Sequence, residues 1–270
     1  MTPTQQRKPI NFKTAPGHQV LAAAGKRILR PGGQTTTDKL LTWANFQPGE
    51  TVLELAASFG HSAIALAQRY GVRVVGIEKN PDSVTRARLN VASADLSDRI
   101  EIIQGDIFHL EDLTEQFDYV LAEAILTMQS PSGKAKILTG ICERLKSNGQ
   151  FLSHELLVTG ENTQAIYQDL ASTIRVNAVP LSTDNWTDTC QTAGLTVQQQ
   201  ETGAMTLLNP QRIAQEEGIS TVLTMGWNLL TRPILRQRIL SMRQVFNRHG
   251  NNLGYIILRA KKSDCYSATR

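Results

Sequence analysis

Acidic side chains end or follow two apolar, β-branched segments of this chain. Glu78 ends "VRVVGIE" and lies about 20 residues beyond an earlier segment of the same kind, the spacing at which an acid can bind both hydroxyls of a ribose. Asp106 follows "RIEIIQG", where it could accept a hydrogen bond from an adenine amino group. The alternatives are a solvated Glu78 at a strand end and an Asp106 that only forms a Gly-Asp turn. If both side chains bind a ligand, that ligand contains a nucleoside.

The loop that would hold the rest of such a ligand is "VLELAASFGHSA", at 52–63. A dinucleotide needs G-x-G-x-x-G at this turn, so that backbone amides can approach its pyrophosphate. The corresponding residues here are Ala56, Ser58 and Gly60, and the two missing glycines count against NAD or FAD. S-adenosylmethionine has no phosphate, and alanine and serine leave room for it if both keep negative φ angles. The loop therefore favours S-adenosylmethionine.

A parallel sheet is needed to bring these residues together. From residue 50 onward, apolar strand patterns alternate with helix patterns, and two more strands follow nearer the C-terminus. Strands buried on both faces and separated by helices predict an α/β fold with a doubly wound, mostly parallel sheet and helices on both faces. The predicted strands lie at 51–57, 72–78, 99–105, 117–123, 150–158, 195–201 and 253–262, and the main predicted helices at 35–45 (capped by its threonine), 61–71, 80–94 and 131–149.

Four parts of the chain are distinguished by their patterns. Residues 1–49 are expected to form an N-terminal arm and helices that close over the cofactor, and 50–204 the α/β core. A helical insertion at 205–250, predicted as two helices broken near 231–233, is expected to cap the substrate pocket, because long insertions in compact domains are often functional. Residues 251–270 are expected to add the last strand and a polar tail.

Three arginines of the insertion fall on one helical face. They are Arg232, Arg236 and Arg243. Such a face is either solvated or a basic lid over an anionic substrate, and the spacing does not decide between the two.

Charge and composition exclude several classes of function. The chain carries 28 basic and 24 acidic residues, an excess too small to predict nucleic-acid binding. No apolar run is long enough to span a bilayer and the N-terminus lacks a signal-peptide core, so we expect no membrane partner and a cytoplasmic location. Cys142, Cys190 and Cys265 form no CxxC pair, and no cluster of His, Asp and Glu predicts a metal site.

The motifs, taken in order, resemble those of class I S-adenosylmethionine-dependent methyltransferases that act on small molecules. "ELAASFG", "GIEKNP", "GDI", "FDYVLAEAIL" and "LKSNGQFL" follow one another in the family's order over 50–160. The family pattern D/E-x-G-x-G-x-G departs here at Ala56 and Ser58. The resemblance implies a seven-stranded sheet whose last strand is antiparallel, with S-adenosylmethionine as the cofactor.

The resemblance also implies roles for individual residues. Arg30, which precedes Pro-Gly-Gly, faces the cofactor carboxylate or an acidic substrate, or else is solvated. The implied cofactor contacts are Glu54 to the methionine amino group, Ala56, Ala57 and Gly60 along the turn, Glu78 and Lys79 at the ribose, Asp106 and Ile107 around the adenine, and Ala122 with Glu123 near the sulfur.

The ends of the fourth and fifth strands supply candidate catalytic residues. Glu123, His154 and Glu155 could each act as a base. Glu123 could instead pair with Arg30, and His154 could be a packed strand residue. The fourth strand continues into "AEAILTM" rather than D/N/S-P-P-Y/F, the signature of nucleic-acid amino methyltransferases. The first hypothesis is therefore a methyltransferase with a small-molecule acceptor, the second an inactive protein that binds S-adenosylmethionine, and the third a nicotinamide-dependent oxidoreductase.

Overall fold

Seven strands form a single sheet in the computed structural model, which describes residues 10–161 and 163–263. They are β1 (Thr51–Leu55), β2 (Arg73–Glu78), β3 (Ile100–Gln104), β4 (Phe117–Glu123), β5 (Leu145–Val158), β6 (Leu195–Ala204) and β7 (Leu253–Lys262). Their order in the sheet is β3-β2-β1-β4-β5-β7-β6. β7 is antiparallel to β5 and β6, and the other neighbouring strands are parallel. This confirms the predicted α/β fold with an antiparallel last strand.

Ten helices surround the sheet in the described residues. They are α1 (Gly17–Ala24), α2 (Gly33–Ala44), α3 (His61–Tyr70), α4 (Pro81–Ser93), α5 (Pro131–Arg144), α6 (Thr163–Ile174), α7 (Thr183–Thr192), α8 (Pro210–Glu217), α9 (Ile219–Thr231) and α10 (Pro233–Arg248). Helices α2, α3 and α4 pack on one face of the sheet with Val52 and Val74. Helices α5 and α7 pack on the other face with Leu53 and Val75. Alternate residues of β1 and β2 therefore pack into the cores on opposite faces of the sheet. This explains why both strands are mostly apolar.

A third apolar core joins the N-terminal arm to the helical insertion before β7. Buried residues of α1, α6, α9 and α10 form it, together with Leu156 and Val158 at the end of β5. Helix α10 turns its apolar face to this core and exposes Arg232, Arg236 and Arg243 on the other side. The insertion therefore shares its core with α1 and α6.

Several boundaries differ from the sequence-based predictions, and two of the differences have a clear structural cause. Helix α5 ends at Arg144, five residues before the predicted end, because Leu145 becomes extended and pairs with Phe117 of β4. The insertion has the predicted break at 231–233, but Gly218, with a φ of 85°, adds a second break between α8 and α9. The positive φ angle of Gly218 lies outside the helical range, so α8 cannot continue through it.

Parts of the predicted organisation lie outside the described residues. These are the first nine residues of the N-terminal arm, the polar tail beyond residue 263, and with it Cys265. Cys142 and Cys190 are buried free thiols. Within the described part of the chain, no helix has the length and apolarity to cross a bilayer, and no group of three His, Cys, Asp or Glu side chains is arranged to hold a metal ion.

Candidate functional site

Acidic residues predicted from the sequence lie at one edge of the sheet. Glu54 of β1 is next to Gly76 of β2 on one side and Leu121 of β4 on the other. Glu78 and Glu123 end β2 and β4, so the three carboxyl groups follow one another across neighbouring strands. The order of the strands reverses between β1 and β4, and open α/β sheets bind their ligands at such a switch point.

Three residues of the loop after β1 adopt left-handed backbone conformations. Ala56, Ser58 and Gly60 have φ angles of 55°, 51° and 77°. The expectation that Ala56 and Ser58 keep negative φ angles is therefore wrong. The tight turn imposes these angles, since the Ala57 amide donates to a β2 carbonyl at 3.0 Å and the Ser58 amide to Glu78 Oε2 at 2.9 Å. A non-glycine residue in this conformation costs about 1–2 kcal/mol. The loop therefore has the backbone conformation that glycine favours, although two of the three positions are alanine and serine.

Three other predicted cofactor contacts have packed side chains. A Cβ atom at Gly76 would come within 2.8 Å of the Ala57 side chain, so Ala57 fills the space above that glycine. Ala122 belongs to the core on the α5 side of the sheet, and Ile107 packs against the same core while partly buried. Because their side chains are used for packing, Ala57 and Ala122 could face a ligand only through their backbone.

Glu54 is a buried carboxyl group with one unpartnered oxygen. Its Oε2 atom has no hydrogen-bond partner among the described residues. Burial raises the pKa of Glu54 to about 8, and Glu123 adds to the increase. The charge of Arg30 and hydrogen bonds from Ser62 and Ala63 act on this pKa in the opposite direction. A ligand ammonium group would supply the missing bond and stabilise the ionised form, so this position fits the amino group of S-adenosylmethionine.

Glu78 connects the loop after β1 to the start of α4. Its Oε2 atom accepts from the Ser58 amide at 2.9 Å and its Oε1 atom from the Asn80 amide at 2.8 Å. A carboxylate oxygen has a second lone pair, so both atoms can still accept from hydroxyl groups. Beside it, Lys79 donates to Asp106 at 2.7 Å, and this bond lowers the pKa of Asp106. Glu78 is thus held in position, and Asp106 is an ionised acceptor.

Arg30 and Glu123 form an ion pair at the end of β4. Arg30 Nη2 lies 2.7 Å from Glu123 Oε2, and both side chains are largely buried. The guanidinium also donates to Ser62 Oγ at 2.6 Å and to Gln34 Oε1 at 2.8 Å. The other oxygen of Glu123 accepts from the Thr37 hydroxyl at 2.7 Å. Both oxygens of Glu123 are therefore engaged, and Arg30 is not the solvated side chain that was one alternative.

His154 is buried behind this pair. Its Nε2 atom accepts from the Gly32 amide at 3.0 Å, which places the ring proton on Nδ1. Nδ1 lies 3.0 Å from the Thr37 hydroxyl, so it donates to that oxygen while the hydroxyl proton points to Glu123. Burial, with a smaller effect of Arg30, lowers the pKa of His154 to about 3. His154 is therefore a neutral imidazole with both nitrogen atoms bonded inside the protein.

Glu155 holds the turn that follows β4. Its carboxylate accepts from the amides of Ile125 at 3.1 Å, Leu126 at 2.9 Å and Thr127 at 2.9 Å, and from the Thr127 hydroxyl at 2.6 Å. Burial raises the pKa of Glu155 to about 6, while these hydrogen bonds lower it. The carboxylate is surrounded by donors of this turn, so it fixes the path of the chain beside the site.

The segment 25–35, here termed the strap, carries Arg30 across the site. Its first half is held by Glu217, at the end of α8. The two oxygens of Glu217 accept from Lys26 Nζ at 2.5 Å and from the Arg27 amide at 2.6 Å. The Lys26 and Glu217 side chains are almost fully buried in this ion pair. The helical insertion therefore fixes the position of the strap.

The second half of the strap is held by Glu216, the preceding residue of α8. It accepts from the Gln34 amide at 2.9 Å and from the Thr35 amide and hydroxyl at 3.3 and 3.0 Å. The predicted capping of this helix by its own threonine is wrong, because a carboxylate of α8 takes the first amides of α2. An acidic group at a helix N-terminus is also favoured by the helix dipole.

An apolar cavity lies beside the ion pair of Arg30 and Glu123. Pro31 and Ala124, the next residues in the chain, both line it. It has about 590 Å³ of atom-free space, its open mouth included. The other lining residues are Gly17, His18, Leu21, Leu29, Thr127, Met128, Leu156, Leu170, Ile174, Val176, Met205, Leu207, Met242 and Phe246. The arm, the core and the insertion thus enclose one apolar space next to the predicted position of the methyl group.

His18 of α1 is the one ionisable side chain among the described residues that line this cavity. The side chain is exposed, yet the surrounding protein shields it enough to lower its pKa, and Glu78 acts on that pKa in the opposite direction. His18 is therefore the ionisable group that the described wall of the cavity offers to a ligand.

Several residues of this site were not found from the sequence. Thr37 and Ser62 lie in the first turns of α2 and α3, where hydroxyl residues are common for local capping. Glu216 and Glu217 are two adjacent acids in a polar helix, and His18 is a lone histidine. The role of these residues can be recognised only from their positions in the folded structure. Residue type and spacing in the sequence do not indicate it.

A family model and two proteins match this chain in sequence. The family model of the methyltransferase domain matches residues 46–209, more than half of the chain. An uncharacterized protein of Haemophilus influenzae is 31% identical over 246 residues, which are 91% of this chain and 98% of that protein. The arsenite methyltransferase of Halobacterium salinarum is 32% identical over 88 residues, which are 32% of this chain and 22% of that enzyme.

A solved structure shows the same fold. The S-adenosylmethionine-dependent methyltransferase of Geobacter sulfurreducens, in complex with S-adenosylhomocysteine, matches with a TM-score of 0.65. The match covers 90% of this chain and 97% of that one at 18% identity. Because the uncovered tenth of the chain is shorter than either the described arm or the insertion, the structural match includes at least part of both.

Proposed function

This chain belongs to the class I S-adenosylmethionine-dependent methyltransferases, and we propose that it methylates a small, largely apolar molecule. The apolar cavity carries the proposal, because it adjoins Ala124 at the end of β4, where the resemblance places the methyl-bearing sulfur. Ligand pockets of small molecules are typically apolar with few polar groups. Of the relatives, the arsenite methyltransferase is named for a small acceptor.

The cofactor would be held by residues of three neighbouring strand ends and the strap. S-adenosylmethionine supplies the methyl group, which leaves its sulfonium sulfur by in-line displacement. We propose that Glu54 binds the ammonium group through its unpartnered Oε2, and that Arg30 binds the carboxylate. Glu78 would accept from the ribose hydroxyls, and Asp106, held by Lys79, from the adenine amino group.

Glu123 and His154 are proposed to position other groups of the site. Both oxygens of Glu123 are bonded, one to Arg30 and one to Thr37. Both nitrogens of His154 are bonded as well, and a histidine with such a low pKa is a weak base. The chain of bonds from His154 through Thr37 to Glu123 would fix Arg30 at the angle that its ligand needs.

His18 is proposed as the residue that accepts a proton from the acceptor. His18 lines the acceptor cavity, and the burial that lowers its pKa favours the neutral imidazole that a base requires. His18→Gln should lower kcat by about 10²-fold or more while S-adenosylhomocysteine binding changes little. His109→Gln, a change of an exposed histidine away from the cavity, is the control. Equal kcat values for the two variants would reject His18 as the base.

The acceptor class can be tested with cofactor carrying a labelled methyl group. The enzyme is incubated with this cofactor and a cell extract separated into small molecules, RNA and protein. We expect label in the small-molecule fraction, in a compound that partitions into organic solvent. Transfer to RNA or protein alone would contradict the proposal.

Filling the cavity provides an independent test. Met205 lines the cavity and is half-buried, so Met205→Trp should occupy the space and reduce turnover strongly. Leu208→Trp is the control, because Leu208 is also half-buried in the same helical core but does not line the cavity. Both variants should bind S-adenosylhomocysteine within about twofold of the wild type, roughly 0.4 kcal/mol. A Met205→Trp enzyme as active as the control would remove the cavity from the acceptor site.

A further inference from the structure

Helix α9 presents an exposed apolar stripe. Ile219, Leu223, Trp227 and Leu230 are 71%, 68%, 68% and 71% exposed, at spacings of four, four and three residues. Such spacing places all four side chains on one face of a helix. Ile234 at the start of α10 continues the stripe and is 41% exposed. Among the described residues only eight large hydrophobic side chains are exposed, and the stripe contains five of them.

The opposite face of α9 is firmly packed, so the stripe is a fixed surface. Thr221 and Met225 are buried, and Met225 belongs to the core shared with α1 and α10. Asn228 donates to the Ala24 carbonyl at 3.2 Å and ties α9 to the end of α1. Since the helix cannot rotate without breaking these contacts, water meets the apolar side chains unless another apolar surface covers them.

The charged residues of the segment that carries the stripe are all basic, and the two acids just before it, Glu216 and Glu217, are largely buried in ion pairs. From Gly218 to Ser263 the sequence contains no Asp or Glu, and α9 itself has no charged residue. The neighbouring helix α10 exposes Arg232, Arg236 and Arg243. An exposed apolar helical face with a tryptophan, on a segment whose charged residues are all basic, is typical of helices that lie in the surface of an anionic bilayer.

We propose that α9 docks this enzyme on the surface of membranes that contain anionic lipids, with the stripe in the boundary between headgroups and acyl chains. This goes beyond the proposed acceptor and does not depend on it. It revises the expectation of no membrane partner, since a helix that lies in the surface needs no apolar run of membrane-spanning length. The arginines of α10 would contact lipid phosphates while Trp227 and the aliphatic side chains enter the apolar layer.

A second copy of the chain fits the surface less well. A symmetric dimer pairs the same patch of both subunits. Here it would bring two sets of arginines together with no acidic side chain of 218–263 between them. Like charges held at an interface are unfavourable, so the charge pattern favours the lipid surface.

Vesicle binding tests the proposal with the full-length enzyme. Sedimentation is measured with vesicles of phosphatidylcholine alone and of equal parts phosphatidylcholine and phosphatidylglycerol. We expect binding to the anionic vesicles, a blue shift of tryptophan emission, and loss of binding at high salt. No binding, or equal binding to both vesicles, would overturn the proposal.

Matched variants distinguish vesicle binding through the stripe from nonspecific hydrophobic adsorption. Leu223→Ser should weaken binding at least about tenfold, because a buried leucine contributes about 1.5–3 kcal/mol. Leu89→Ser is the control, since Leu89 on α4 is 64% exposed and lies outside the stripe. Arg236→Gln should weaken binding about fivefold, because an arginine near the membrane surface contributes ~1 kcal/mol. Lys136→Gln, which removes an exposed positive charge on α5, is its control. Equal effects of a stripe variant and its control would also overturn the proposal.

The same variants test the dimer. Mass is measured by light scattering, and unchanged S-adenosylhomocysteine affinity shows that each variant is folded. A monomer that binds anionic vesicles is the expected result. A dimer that Leu223→Ser converts to a monomer would assign the stripe to a second copy and refute the membrane proposal.

Discussion

Binding of S-adenosylhomocysteine should release a proton from Glu54. Burial raises the pKa of Glu54 to about 8, so the free enzyme holds a proton there at neutral pH. The product carries the same ammonium group as the cofactor, and an ammonium beside Oε2 stabilises the carboxylate. With that pKa, complete ionisation on binding releases about 0.9 proton at pH 7 and raises the affinity about 50-fold between pH 6 and pH 8.

The same shift has a consequence for the ligand-free protein. Because the pKa of Glu54 is raised in the folded state, the folded protein binds more protons than the unfolded chain between about pH 4.5 and pH 8. The stabilising contribution is complete below the ordinary pKa and is lost as the pH rises through 8. It amounts to at most about 5 kcal/mol. Bound S-adenosylhomocysteine should flatten this part of the stability curve.

Calorimetry in buffers of different ionisation enthalpy measures the released proton. The ligand amine can also exchange a proton on binding, so the comparison with Glu54→Gln isolates the protein group. The variant keeps the shape of the side chain but has no proton to release, and its affinity should vary with pH only through the ligand. If the wild type and Glu54→Gln release the same number of protons at pH 7, Glu54 does not bind the ammonium group.

Three further predictions concern the cofactor loop and the ion pair. Glu78→Ala should weaken S-adenosylhomocysteine binding by about 2–4 kcal/mol, roughly 30- to 1000-fold, through the loss of charge-assisted hydrogen bonds; a change within twofold in titration calorimetry would contradict the ribose role. Ala56→Gly and Ser58→Gly should each raise the free energy of unfolding by about 0.5–1 kcal/mol, because glycine relieves the left-handed strain but costs backbone entropy. Ala57→Gly in the same loop has no positive φ to relieve, and denaturant titration should show no stabilisation. Glu123→Gln should weaken the hold on Arg30 and lower kcat/KM, with a larger loss if Glu123 also contacts the acceptor; unchanged turnover would show that the ion pair is only structural.

Most of the sheet could be predicted from the sequence because most of its strands are short runs of apolar residues that can be recognised without their partners. Glu78 and Asp106 were found for the same reason, since they follow such runs directly. The end of α5 was misplaced because the pairing of Leu145 with Phe117 of β4 overrides the helical pattern that continues to Gly149. A tertiary contact decided that boundary, and local propensity did not.

The conformation of the loop and the bonds of the strap could not be predicted. Alanine and serine rarely adopt positive φ angles, so residue type argues against the conformation that Ala56 and Ser58 have. Glu216 and Glu217 meet the strap across separations of 181 to 191 residues, and no local pattern indicates such contacts. These contacts fix the segments on both sides of Arg30.

The bonds between the strap and α8 set the order in which a newly made chain can be completed. The ribosome releases the strap early, but Glu216 and Glu217 follow only after the strands β1 to β6. Chains fold while they are synthesised, and contacts distant in sequence form late because the intervening loop must first close. The acids on β1, β2 and β4 can therefore be in place on the growing chain while the strap still lacks its bonds to α8. An early segment of the sequence is thus among the last to be fixed, and a growing chain that ends before Glu216 lacks the carboxylates that hold Lys26, Arg27 and the first amides of α2.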